Sequence, residues 1–110
     1  YFLDNSSNLI SYSKISEDYY PIIFGEGAEY EFVDFFSKLK ESSFPDEIVK
    51  NYYYFQIGRW DLELINGKII KLPANKTKKA FHLAIELLDH ENFKSYNIID
   101  LRIEGKVIVE

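Results

Sequence analysis

The amino-acid sequence predicts an α+β fold, with a curved, mostly antiparallel sheet of about seven strands packed against two α-helices. Three observations lead there. Arg59 to Pro73, read as RWDLELINGKIIKLP, holds two alternating apolar/polar runs around Asn66-Gly67, a hairpin signature. Ala28 to Glu41 and Lys76 to about His90 instead repeat their apolar residues at helical spacing. Short apolar runs bounded by turn formers make up most of the rest. At 110 residues the chain reads as a single domain, 1–110, that buries about 60–70% of its unfolded surface without staples.

In chain order, Tyr1 to Asp4 and Leu9 to Tyr12 are predicted strands joined by the turn-forming Asn5-Ser6-Ser7-Asn8, and Ser13 to Asp18 is polar loop. Asn5-Ser6-Ser7 and Asn75-Lys76-Thr77 match the glycosylation acceptor pattern, but they read more simply as turn and helix-cap chemistry. Tyr19 to Phe24 is a short apolar strand. Gly25-Glu26-Gly27 then turns the chain into a helix. It lacks the Lys-Ser/Thr of a nucleotide loop, and Glu26 and Glu29 would repel a phosphate there. In Ala28 to Glu41 the residues Ala28, Phe32, Phe35, Phe36 and Leu39 share one face. Glu29 and Glu31 in the first turn and Lys38 and Lys40 in the last suit the helix dipole, and Ser42-Ser43-Phe44-Pro45 stops it.

Ile48 to Gly58 reads as a long strand, with a helix on one face and partly exposed tyrosines on the other. The register of the next hairpin follows from side-chain parity. A two-residue turn would place Leu62 opposite Lys71, mixing the faces. A three-residue loop, Ile65-Asn66-Gly67 with Gly67 left-handed, pairs Trp60 with Leu72, Leu62 with Ile70 and Asp61 with Lys71. Trp60, Leu62, Leu64, Ile70 and Leu72 then line the core with Phe32 and Phe36, and Trp60→Ala should cost roughly 3–5 kcal/mol. Asn75 is the predicted N-cap of the second helix. Phe81, Ala84, Ile85 and Leu88 form its buried face, flanked by Leu83 and Leu87. Tyr96 to Ile103 and Lys106 to Val109 close as a hairpin around Glu104-Gly105. A two-residue turn there sets Ile103 against Lys106, Arg102 against Val107 and Leu101 against Ile108.

Composition narrows the function. A formal net charge of −5 disfavours a phosphate-backbone ligand, and the aromatic strand lacks the basic funnel of a single-strand nucleic-acid platform. The absence of Cys removes disulfides and thiolate metal sites. His82, Glu86 and His90 recur every four residues. The histidines sit about 12 Å apart along a helix axis, too far to grip one ion, so they form a solvated face. No cofactor, metal or small-molecule substrate is expected. Asp61 and Glu63 share a strand face and could serve a small carboxylate-pair hydrolase, yet Lys71 opposite Asp61 explains them as a cross-strand charge ladder. No apolar run reaches the ~20 residues of a membrane span. Lys106 to Val109 carries no Pro and a single charge, Lys106, so its outer side is open to strand addition.

Three strings also carry a family resemblance. Arg59-Trp60-Asp61-Leu62-x-Leu64-x-Asn66-Gly67-x-x-x-Lys71-Leu72-Pro73 resembles the core hairpin of the FtsQ/DivIB cell-division proteins. Pro21-Ile22-Ile23-Phe24-Gly25-Glu26-Gly27-Ala28 resembles the family's strand and glycine turn, and Asp100-Leu101-Arg102 its late strand motif. The resemblance implies a non-enzymatic divisome scaffold domain on the periplasmic face of the bacterial inner membrane, at the division septum. It implies binding of FtsB, held with FtsL, through the last strand and its hairpin: Arg102, Ile103, Glu104, Gly105, Lys106, Val107, Ile108 and Val109. Position 103 is Ile where some members carry an aromatic anchor. A cytoplasmic tail, a membrane helix and a POTRA domain are expected to precede this segment. A generic aromatic-rich binding module is the plainer alternative.

Overall fold

The computed structural model describes residues 21–110 in full, together with the strand backbone at Phe2–Leu3 (β1) and Leu9–Ile10 (β2). The predicted loops at 5–8 and 13–18 lie outside the described residues. Then follow β3 (Ile22–Phe24), α1 (Ala28–Glu41), β4 (Val49–Phe55), β5 (Arg59–Leu64), β6 (Ile69–Lys71), α2 (Thr77–Asp89), β7 (Ile98–Asp100) and β8 (Ile108–Val109). All eight strands form one sheet in the order β2-β1-β3-β4-β5-β6-β7-β8, six of them within the fully described segment. The α+β class holds, with one strand more than the seven expected. Among the described strands only β3/β4 and β6/β7 pair in parallel, and each parallel pair is bridged by a helix, as a crossover requires. Both helices lie on one face of the sheet, where Phe35 of α1 meets Phe81 of α2 with ring centroids 5.6 Å apart.

That face holds the core. Phe32, Phe36, Trp60, Leu62, Ile70 and Leu72 are all buried, as the periodicity predicts. Phe35 stacks on Trp60 at 4.7 Å, and Phe32 meets the Tyr52 ring edge-on at 5.0 Å, both favoured aromatic geometries. The β5-β6 register is the predicted one: Asp61 pairs with Lys71 and Leu62 with Ile70. The Leu64 amide donates to the Lys68 carbonyl (2.8 Å), leaving Ile65-Asn66-Gly67 as the loop, and Gly67 sits at φ +88°.

Helix α1 has its predicted bounds and ends in a Schellman motif. The Phe44 amide donates to the Leu39 carbonyl and the Ser43 amide to that of Lys40, with Ser43 left-handed at φ 65°. Phe44 and Leu39 are buried at the motif.

Four expectations need correction. The strand foreseen over 48–58 is shorter: Ile48 belongs to a 3-10 turn, Asp46–Ile48, and Gly58, at φ +90°, donates to the Phe55 carbonyl in a turn. Asn75 does not cap α2. The helix begins one residue later than predicted, after Lys76, which is itself left-handed at φ 55° and lends no side-chain cap. The buried face of α2 is centred on Ala80, Phe81, Ala84 and Leu87, with Ile85 and Leu88 half-buried, because the helix leans toward Phe35 and Phe44. In the last hairpin Asp100 pairs with Ile108 and Ile99 with Val109, one residue off the predicted register. The Arg102 amide donates to the Asp100 carboxylate (3.0 Å), which turns the chain out of β7 before the predicted strand end.

Candidate functional site

Strand β8 is the last member of the sheet and, among the described residues, pairs with β7 alone. Its ladder alternates. Ile98 and Glu110 exchange both backbone bonds (3.1 and 3.0 Å), so the Ile108 amide also faces β7, whereas those of Val109 and Val107 face away. The structure therefore leaves a short row of main-chain donors and acceptors along one outer edge. Arg102, Ile103, Glu104, Gly105, Lys106, Val107 and Ile108 are exposed, and Val109 is half-buried on the core side of the sheet.

Two ionic devices fix this segment. The Asp100 carboxylate receives Nε of Arg102 at 2.9 and 3.0 Å and Nη2 at 2.6 Å, besides the backbone amide. These bonds outweigh its burial and hold the Asp100 carboxyl below its ordinary range. At the tip, Glu104 accepts from Lys76 Nζ at 2.7 Å and lies 3.9 Å from Lys79 Nζ, tying the loop to the start of α2. Lys76 bonding first, then its charge and that of Lys79, lower the Glu104 pKa. Between loop and helix lies a groove of about 390 Å³ over Pro73, Ala80, Leu83 and Leu101. Sequence reasoning missed Lys76 and Lys79. The Lys76–Glu104 link spans 28 positions, and no local pattern announces it.

The sheet face away from the helices carries a polar row. Phe24, Tyr53, Asp61, Lys71, Asp100 and Ile108 are neighbours across six strands. Asp61 is 8% exposed and accepts from Arg59 Nη1 at 2.5 Å, while Arg59 lies over the Phe55 ring at 4.2 Å. Burial raises the Asp61 pKa more than Arg59, Lys71 and Arg102 lower it. Glu63 accepts from Asn51 Nδ2 (2.6 Å) and the Tyr53 hydroxyl (2.9 Å), and these bonds lower its pKa. Both carboxylates of the sequence-derived pair thus have structural partners. His82, Glu86 and His90 are spread along the exposed side of α2. Among the described residues no three His, Asp or Glu side chains gather where they could hold a metal, and no helix is long and apolar enough to cross a membrane.

Two comparisons place this geometry among known proteins. The model of the cell division protein FtsQ/DivIB C-terminal family matches residues 1–102, ending at Arg102. No curated protein matches the chain.

Proposed function

The chain belongs to the FtsQ/DivIB family of cell-division proteins, and from that premise we propose that it is a non-enzymatic divisome scaffold domain that captures FtsB, held with FtsL, by strand addition to β8. In this reading the domain works outside the cytoplasm, tethered to the inner membrane at the septum. The observation that carries the mode of binding is the outer side of β8, which no other described strand pairs with. Its outward amides at Val107 and Val109 supply main-chain pairing, and the exposed Ile103, Val107 and Ile108 supply apolar contact. Asp100-Arg102 and Lys76-Glu104 set the edge in place before the partner arrives, which lowers the ordering cost of binding.

The test uses proline, which deletes one amide at a time. Val107→Pro removes an outward donor: calorimetric titration with the membrane-proximal segments of FtsB and FtsL should show weakened binding and unchanged melting. Ile108→Pro removes a donor to β7 and should lower the melting temperature as well. Normal binding by a folded Val107→Pro protein would refute strand addition at this edge.

A further inference from the structure

A second groove opens at the end of the sheet opposite residues 101–106, bounded by the β5-β6 loop, the 3-10 turn before β4 and the second half of α2. Its volume is about 440 Å³, and Pro45, Ile48, Leu64, Ile85 and Leu88 form an apolar lining. At its lip stands Ile65, 61% exposed at a hairpin tip where a polar residue would cost nothing.

The two segments that border it are acidic. From Glu41 to Val49 and from Ala80 to Phe93 the chain carries six carboxylates and neither Lys nor Arg. One of them, Asp46, accepts from Lys40 of α1 at 3.5 Å, and the Lys68 amine donates to the Lys94 and Tyr96 carbonyls. Helix α2 is charged against its own dipole: no acid in its first turn, no base in its last, with Lys78 and Lys79 early and Glu86 and Asp89 late. Helix α1 follows the favourable order. Acids at a helix C-terminus are unfavourable in the free domain, and a cation seated beside them relieves that cost.

We propose that this groove docks a partner segment with a narrow apolar stripe flanked by Lys or Arg, such as an amphipathic basic helix. The apolar lining takes the stripe. Asp89 in the lining, with the exposed Glu47 and Glu86 next in sequence to the lining residues Ile48 and Ile85, meets the cations, as charge complementarity requires. The site is separate from β8, so a partner there leaves the edge free for strand addition.

The probe is a short leucine–lysine amphipathic peptide, with a leucine–glutamate peptide of the same pattern as control, titrated into the isotope-labelled full chain by NMR. The lysine peptide should shift the amides of Ile48, Ile65, Ile85 and Leu88, and the glutamate peptide should not. Ile65→Ser, at an exposed tip, and the double variant Glu86→Lys/Asp89→Lys should each weaken binding about tenfold or more. The double variant should also melt higher than the parent, because it corrects the helix dipole, so weak binding cannot be put down to unfolding. Shifts at other residues, equal response to both peptides, or binding unchanged in the two variants would overturn the proposal. So would the same shifts on raising protein concentration alone, which would assign the groove to a second copy.

Discussion

Tyr52 gives the sharpest energetic test of the fold. Its ring is fully buried among Phe32, Phe35 and Phe36, and its hydroxyl has no hydrogen-bond partner among the described residues. An unsatisfied buried hydroxyl forfeits its hydration without compensation, at roughly 1–3 kcal/mol. Tyr52→Phe deletes that group and keeps the ring. Setting the lost hydroxyl contacts against the relieved penalty, the variant should gain about 1–2 kcal/mol, or roughly 4–8 °C of melting temperature for each kcal/mol in a domain of this size. Urea unfolding should show a higher midpoint at unchanged slope. The pH dependence provides a second readout. Burial, with Asp46 adding to it, raises the Tyr52 pKa above the usual phenol range. A raised folded pKa means stability that is complete below the unfolded pKa of about 10 and is lost as pH rises beyond it. Tyr52→Phe should therefore soften the alkaline unfolding limb. A variant less stable than the parent by about 1 kcal/mol would refute the reasoning, since it would mean that the hydroxyl is satisfied.

Other substitutions probe separate links. Ser43→Gly, at the left-handed residue closing α1, should stabilise by about 0.5–1 kcal/mol in thermal melts, because glycine reaches that backbone region without strain. Gly25→Ala should destabilise by about 2–5 kcal/mol, read by urea midpoint: Gly25 has φ +119°, and an added Cβ would lie 2.3 Å from the Tyr54 carbonyl oxygen of the neighbouring strand. Asp100→Asn tests the anchor of the last hairpin. Its lowered pKa in the folded chain gives stability that is present above the ordinary carboxyl pKa and is lost as pH falls through the folded value. Parent and Asp100→Asn should differ at neutral pH and converge toward pH ~2; a gap of constant size would show that the carboxylate's charge is not involved.

The parts of the fold legible in the sequence are those where one local rule had no competitor. In β5 and β6 the parity of Leu62 and Ile70, added to Asn66-Gly67, left one register that puts Trp60, Leu62, Leu64, Ile70 and Leu72 on the core face, and that register is present. Helix α1 declared its face through Phe32, Phe35, Phe36 and Leu39, and its end through Ser42 to Pro45. The last hairpin lacked such discrimination, because either register sets some charged residue against an apolar one: Arg102 against Val107 in the predicted register, Asp100 against Ile108 in the one present. The choice is made by longer-range bonds: the Leu101 amide donates to the Lys71 carbonyl at 2.8 Å, and the Asp100 carboxylate captures the Arg102 amide. Asn75 was a sound cap by composition, yet Lys76 takes the cap position and its amine goes to Glu104. For the candidate edge, the outward direction of Val107 and Val109 was readable despite the register slip, because the loop gained one residue while the strand kept its alternation.

From β3 onward the neighbours in space are also the neighbours in the chain, with β8 last in both orders. A ribosome therefore delivers each strand from β4 to β8 to a ledge that has just been finished. Strand β8 is the outermost course of that wall among the described strands. Copies cut short before β8 would fold their aromatic interior yet offer β7 in place of β8, with neither the glutamate clasp nor the outward valines.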